Sequence, residues 1–219
     1  LYKGGKEMEK VVERNPVIEK KSVNNIMIAL YAFVIISFFI TIVDIIIRFP
    51  LQSEMIDYND IQAIVINVLA LLIQIVSFAY GFVNAIRGML SPKRMGAVIV
   101  AFFAATCITG TGNMVINSNV QIVLWWIVLI IPNIVGAVAT FAYFVLGKKS
   151  KIYSIIIYLV AIWGMFRIIY SNYNLIVHAN QYLSMNSTVR LVLEIAIHCL
   201  VIYQTYVLWI KRQNATDIS

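Results

Sequence analysis

Charged side chains are scarce in this chain, since Asp, Glu, Lys and Arg together make up 12% of its 219 residues. In soluble domains such residues make up about a quarter of the chain, so an ordinary soluble fold is excluded. Hydrophobic residues make up 61% and form several apolar runs long enough to cross the hydrocarbon core of a bilayer as helices. The composition therefore predicts an all-α integral membrane protein, whose first partner is the lipid bilayer.

Cysteine is almost absent too. The two cysteines, Cys107 and Cys199, lie inside apolar runs, which excludes a disulfide framework and a cysteine-based metal site. The chain also lacks the Gly-x-Ser-x-Gly, His-Glu-x-x-His and Cys-x-x-Cys motifs of hydrolases, zinc enzymes and thiol redox enzymes. We therefore expect no cofactor and no enzymatic activity. An intramembrane enzyme, with Glu194 as acid or base and His198 as its partner, is the least favoured alternative.

Acidic residues are outnumbered by basic ones, 10 to 17. The bases lie in short flanks of the apolar runs rather than in a stripe beside aromatic residues, so nucleic acid is not an expected partner. They concentrate in the N-terminal segment, in the loops after the second and fourth apolar runs and in the C-terminal tail. The other three loops have none of their own apart from Arg48, which follows the end of the first span. By the positive-inside rule this alternation predicts six spans and both termini in the cytoplasm. We expect the membrane to be the plasma membrane.

The spans divide the chain into three parts. Residues 1–22 form a charged cytoplasmic segment, residues 23–210 form a six-helix membrane bundle, and residues 211–219 form a cytoplasmic tail. The predicted spans are residues 23–47, 61–86, 95–116, 120–146, 152–173 and 188–210. In the first part, residues 1–5 are typical of a fusion scar, because the first three match the end of green fluorescent protein. Residues 6–21 predict a short helix on the membrane surface, broken before Pro16.

Two ionisable side chains in the last two spans mark a candidate site. Arg167 lies in the fifth span and Glu194 in the sixth. A charge in hydrocarbon is costly, so such residues normally face a bundle interior or a watery cavity. At about 1.5 Å per residue each lies about 24 Å from the cytoplasmic end of its span, so the two can meet. The sequence predicts a polar cavity that opens outward, anchored by this pair. A pair that only fixes helix register is the alternative.

Six further residues share the depth or the helix face of this pair. His198 follows Glu194 by a helical turn. Trp163, Tyr170 and Asn174 lie on the Arg167 face of the fifth span, which we expect to avoid lipid. Asn67 and Asn113 lie in the outer half of the second and third spans. Together with the pair they are the candidate ligand-binding residues. A metal is not expected, because the Glu-x-x-x-His motif has no second copy.

Two spans contain residues that weaken a helix. Gly110 and Gly112 lie among threonines in the third span, and Pro132 lies in the middle of the fourth, where it predicts a kink. Such interruptions either let another helix approach closely or line a cavity, and packing is the expected role.

These features favour a protein that binds or transports a small polar solute, anionic because Arg167 attracts a carboxylate or a phosphate. Six spans with cytoplasmic termini in a chain of this length resemble the substrate-binding membrane subunits of energy-coupling-factor vitamin transporters. The Ala-x-x-x-Ala signature of that family's first helix is absent from residues 23–47. The alternative is a sensory or anchoring module of a larger assembly. The small residues of the third span suit contact with a second copy of the chain.

Overall fold

The structure is a computed structural model that describes residues 16–52, 58–116, 126–171 and 185–216. Every regular element in these ranges is a helix, as predicted. The helices are α1 (Pro16–Gln52), α2 (Tyr58–Ile86), α3 (Pro92–Ile116), α4 (Ile131–Thr140), α5 (Lys151–Ser171) and α6 (Met185–Thr216). Helix α4 continues at both ends into π-helical turns, Trp126–Ile130 and Phe141–Val145.

Five helices contain stretches long and apolar enough to cross a membrane. These stretches are Val65–Ile86, Pro92–Thr111, Ile127–Val145, Lys151–Tyr170 and Leu191–Lys211. In α1 the described apolar stretch is the shorter Asn24–Ile40. The chain is therefore a multi-pass membrane protein. The sixth span and the cytoplasmic position of the termini stay predictions.

Helix α1 departs from the predicted bounds at both ends. It begins at Pro16, whose fixed φ suits the first turn of a helix, and it continues through Lys21 into the predicted span. The predicted surface helix is thus not separate over this part, and the rest of it lies outside the described residues. At its other end α1 passes Ile47 and Pro50 and ends at Gln52. Proline is tolerated within membrane helices when neighbouring groups satisfy the freed carbonyl.

The helices form a ring in which neighbours along the chain are neighbours in space. Each helix packs on the one before it, and α6 packs on both α5 and α1, which closes the ring. Helix α3 also contacts α6 across the middle and divides the ring into two groups of four helices. The short connections at residues 87–91 and 146–150 favour this order, because short loops join antiparallel neighbours.

A glycine ends α2 and turns the chain toward α3. Gly88 has a φ of 66°, which glycine adopts without steric cost. Its amide donates to the Ala85 carbonyl at 3.0 Å, and the Met89 amide donates to the Asn84 carbonyl at 2.8 Å, the two bonds of a Schellman cap. Arg94 of α3 fixes the turn, because its Nη1 donates to Asn84 Oδ1 and to the Met89 carbonyl, both at 2.8 Å.

A buried polar contact joins the first and last helices of the ring. Tyr31 of α1 and Gln204 of α6 are both 0% exposed, and Gln204 Nε2 donates a hydrogen bond to the Tyr31 hydroxyl. The Tyr31 ring lies on Gly81 of α2, where an added Cβ would come within 2.7 Å of the hydroxyl oxygen. In the described part of the chain, Gln204 Oε1 is buried without a hydrogen-bond partner. The packing of α1, α2 and α6 at this level therefore depends on the Tyr31–Gln204 pair.

The glycine-rich stretch of α3 serves helix packing. An added Cβ at Gly110 would overlap Leu129 Cδ2, so this glycine lets the fourth helix approach. One turn earlier the Cys107 thiol faces the Ile130 carbonyl, with the sulfur 3.9 Å from the oxygen. Helix α3 stays helical through to Ile116, so its backbone is not unwound here.

The fourth helix widens into a π-helical turn directly before Pro132. Proline has no amide hydrogen, so the Val128 carbonyl four residues earlier loses its α-helical donor. Trp163 of α5 replaces that donor, because its Nε1 donates to the Val128 carbonyl at 2.8 Å. Asn133 Nδ2 similarly donates to the Leu129 carbonyl at 2.7 Å. The interruption predicted at Pro132 is thus satisfied by side chains, as backbone at membrane depth must be.

We expect Trp163→Phe to lower the free energy of unfolding by roughly 0.6–2 kcal/mol, the range for hydrogen bonds between membrane helices. The substitution removes the donor to the Val128 carbonyl together with part of the aromatic surface, because phenyl is smaller than indole. In a Pro132→Ala background the loss should be smaller, because position 132 then carries its own amide hydrogen and only the lost surface remains. A double-mutant cycle in detergent measures this coupling. An equal cost of Trp163→Phe in both backgrounds would contradict the assignment.

Candidate functional site

Helices α5 and α6 bring three of the candidate residues together. Arg167 is half-buried and lies one helical turn before the end of α5, while the half-buried Glu194 and the buried His198 lie one turn apart on α6. Arg167 lies within electrostatic range of both Glu194 and His198. We call these three residues the polar cluster.

The His198 ring is fixed from three sides. Its Nδ1 donates to the Glu194 carbonyl, 2.7 Å away; because a carbonyl oxygen only accepts, Nδ1 carries a proton. Phe102 of α3 meets the ring edge-on, with centroids 5.2 Å apart and planes at 89°. On α5 the ring lies against Gly164, where an added Cβ would overlap Nε2. His198 therefore fills the junction of α3, α5 and α6.

Trp163 and Tyr170 lie on a different face of α5 from the buried Gly164 side. With Phe166 they form a stack of rings, in which successive centroids are 6.0 and 6.2 Å apart. Tyr170 is 74% exposed and Trp163 is 40% exposed, contrary to the expectation that this face avoids lipid. The structure does not bring these two rings into the polar cluster. Arg167 lies at the border between this aromatic stack and the buried side of the helix.

The three asparagine candidates are not part of the described cluster. Asn67 is half-buried on α2, a helix that packs on α1 and α3 in the other half of the ring. Asn113 lies near the end of α3, and its side chain is outside the described part of the chain. Asn174 lies outside the described residues altogether.

An apolar core fills the bundle on the Lys151 side of the polar cluster. Helices α3, α5 and α6 contribute buried side chains to it, among them Phe103, Ile157, Ala161, Ile197 and Leu200. A solute would therefore reach Arg167 from the other end of the bundle or from the lipid. Within the described ranges no three His, Cys, Asp or Glu side chains are grouped so that they could hold a metal ion.

The chemistry of the cluster suits an anion. A guanidinium offers five donors in a planar fork that matches the oxygens of a carboxylate or a phosphate. Glu194 supplies the opposite charge that a partly buried cation needs within a membrane. His198 adds no open donor or acceptor, because the α5 backbone at Gly164 covers its Nε2.

Gly164 and Phe102 shape the cluster, and reasoning from the sequence does not single them out. Gly164 does carry a signal, because a glycine in a helix interior costs about 0.5–1 kcal/mol relative to alanine and this one precedes Arg167 by one turn. Phe102 carries none, since it is one of 11 phenylalanines and has apolar neighbours along the chain.

Comparison with known proteins gives no family for this chain. No family model matches it, and no curated protein and no solved structure is significantly similar to it. The resemblance to the vitamin-transporter subunits therefore concerns predicted architecture only. Function has to be argued from the helices and the polar cluster.

Proposed function

We propose that the protein is a six-span bundle that binds a small anionic solute at Arg167 and takes it up from the outer side of the membrane. The observation that supports this most is the half-buried Arg167 on α5, which lies within electrostatic range of Glu194 on the next helix. A cation in this position needs an anionic partner, and a charged residue within a membrane helix usually belongs to a functional site.

The distribution of charge supports an outward orientation of the site. Exposed bases cluster at one end of the bundle, where α2, α4 and α6 finish and α3 and α5 begin; they are Arg87, Lys93, Lys148, Lys149, Lys151 and Lys211. Cytoplasmic loops carry such an excess of Lys and Arg. Arg167 lies at the opposite end of α5 and so faces outward in this proposal. A plasma-membrane location follows if the solute comes from outside the cell.

Capture is electrostatic in this mechanism. Without solute, Glu194 balances the charge of Arg167. A carboxylate or phosphate that enters from outside takes over the guanidinium donors and forms bidentate bonds that are stronger than those of neutral partners. The apolar core on the cytoplasmic side blocks free passage, so movement across the membrane requires the helices around Arg167 to rearrange.

Arg167→Ala should abolish anion binding while the bundle still folds. The assay is thermal unfolding in an uncharged detergent with inorganic phosphate, succinate or butyl phosphate. An anion at about 100 times its Kd stabilises the wild type by about 2.7 kcal/mol, because it binds only the folded state. Arg167→Lys should keep part of the effect, since a point charge replaces a fork.

Arg87→Ala is the matched control, because it removes an exposed base at the other end of the bundle. It should leave the ligand-induced stabilisation unchanged. Equal stabilisation of wild type and Arg167→Ala by every anion, or no stabilisation of the wild type at all, rejects the proposal. If Arg167→Ala and Glu194→Ala each unfold the protein and the double variant restores it, the pair is a register device instead.

A further inference from the structure

The depth and surroundings of Arg167 restrict the kind of anion that suits it. Arg167 lies three residues before Tyr170, the last residue of the apolar stretch of α5. At about 1.5 Å per residue this is about 5 Å from the membrane surface, within reach of a long arginine side chain. By this count, the level where lipid head groups begin is within reach of the Arg167 side chain.

The side of α5 next to Arg167 is an apolar surface that runs the length of the helix. Below the aromatic stack, Ile155, Leu159 and Ile162 are all exposed and follow one another by three or four residues, so they continue the face of Phe166. A cation at one end of an exposed apolar stripe matches a molecule with an anionic head and a hydrocarbon chain.

The aromatic stack distinguishes this face of α5 from an ordinary lipid-facing helix surface. Trp163, Phe166 and Tyr170 present nearly parallel neighbouring rings, with interplanar angles of 30° and 20°. Rigid flat rings hold a hydrocarbon chain with little loss of side-chain entropy. Trp163 is held further by its bond to the Val128 carbonyl. The stack thus provides a fixed wall on the face of α5 next to Arg167.

From this juxtaposition we infer that the anion bound at Arg167 is an amphiphile from the outer leaflet. Its phosphate or carboxylate head contacts the guanidinium, and its hydrocarbon chain lies along Phe166, Ile162 and Leu159. The inference rests on the proposed function and names its substrate class. It also gives the lipid side of α5, rather than an aqueous channel, as the route by which the substrate reaches the site.

Binding of inorganic phosphate and of butyl, octyl and dodecyl phosphate to the purified protein in maltoside detergent tests this. Affinity should rise at least about tenfold from butyl to octyl phosphate, because each buried methylene contributes. Phe166→Ala should weaken dodecyl phosphate several-fold and leave inorganic phosphate unchanged. Phe39→Ala is the control, because Phe39 is 67% exposed on α1, which packs on α2 and α6. It should change neither.

The outcomes separate the two proposals. If inorganic and dodecyl phosphate bind equally and Phe166→Ala changes neither, the amphiphile inference fails while the anion site stands. If Arg167→Ala binds every phosphate as the wild type does, the anion site itself fails. A chain-length dependence that persists in Arg167→Ala reflects partition into the detergent micelle and also overturns the inference.

Discussion

Gly164→Ala should destabilise the bundle by about 1–3 kcal/mol, the usual cost of overpacking a filled site. The added Cβ would overlap His198 Nε2 and lie 2.7 Å from Cδ2. The imidazole has no room to turn aside, because the Glu194 carbonyl holds Nδ1 and Phe102 packs against the ring. Helices α5 and α6 must therefore move apart, or the ring must give up its hydrogen bond. The free energy of unfolding in detergent measures the loss.

The effect of Gly164→Ala on the free energy of unfolding should reverse sign when the His198 imidazole is removed. In a His198→Ala background Gly164→Ala should be neutral or stabilising, since alanine favours a helix by about 0.5–1 kcal/mol over glycine. Gly96→Ala is the matched control, because its Cβ would meet Phe144 instead of His198 and its cost should not depend on the background. An undiminished cost of Gly164→Ala without His198 would show that this contact does not set the spacing of α5 and α6.

Tyr31→Phe should cost about 1–3 kcal/mol of unfolding free energy, the penalty for leaving a buried polar group unsatisfied. The hydroxyl accepts from Gln204 Nε2, and the amide oxygen of Gln204 already has no partner in the described part of the chain. Without Tyr31 Oη, both amide atoms are stranded in a fully buried position. The change removes one atom and leaves the packing against Gly81 intact, so the loss reports the hydrogen bond.

Gln204→Leu in the Tyr31→Phe background should recover most of that loss, because an apolar pair of similar size leaves no polar atom unsatisfied. Tyr80→Phe, at an exposed position of α2, is the control and should be close to neutral. Chemical unfolding monitored by tryptophan fluorescence suits the wild type and all three variants. A neutral Tyr31→Phe would mean that an internal water or another group already serves Gln204.

The membrane class and most helix bounds can be predicted from the sequence, because twenty apolar residues in a row permit few alternatives. The predicted span 61–86 matches the end of α2, and the predicted span 95–116 matches α3 to within three residues. The bounds of α1 were harder to predict. A proline predicts a boundary from local sterics alone, whereas Pro50 falls within α1, in its last turn.

The rotation of a helix about its own axis is what the sequence leaves open. In water an apolar stripe marks the buried side, but in lipid both sides of α5 are apolar and periodicity carries little information. Helical spacing predicts that Trp163 and Tyr170 lie on the Arg167 side of α5, but it does not predict that their rings lie on the outer surface of the bundle. The buried Ile157 and Ala161 and the position of Gly164 against His198 show which side of α5 is buried.

Side-chain partners across helices are similarly beyond the sequence. Pro132 predicts that the Val128 carbonyl loses its backbone donor and that another group donates to it instead. That Trp163, 35 residues away, supplies it depends on how α5 packs against the fourth helix. The indole nitrogen of Trp163 therefore satisfies the backbone of the fourth helix rather than offering a hydrogen bond to a solute.

The closure of the ring has a consequence for biosynthesis. The Tyr31–Gln204 contact joins residues 173 positions apart, and synthesis proceeds from the N-terminus. While the ribosome is still making α6, helices α1 to α5 are an open arc with a bare seam between α1 and α5. The Tyr31 hydroxyl then lies on that seam, exposed to lipid or to an insertion factor. Only the arrival of the final helix seals it, so nascent chains stalled before α6 should be the form most readily removed by membrane quality control.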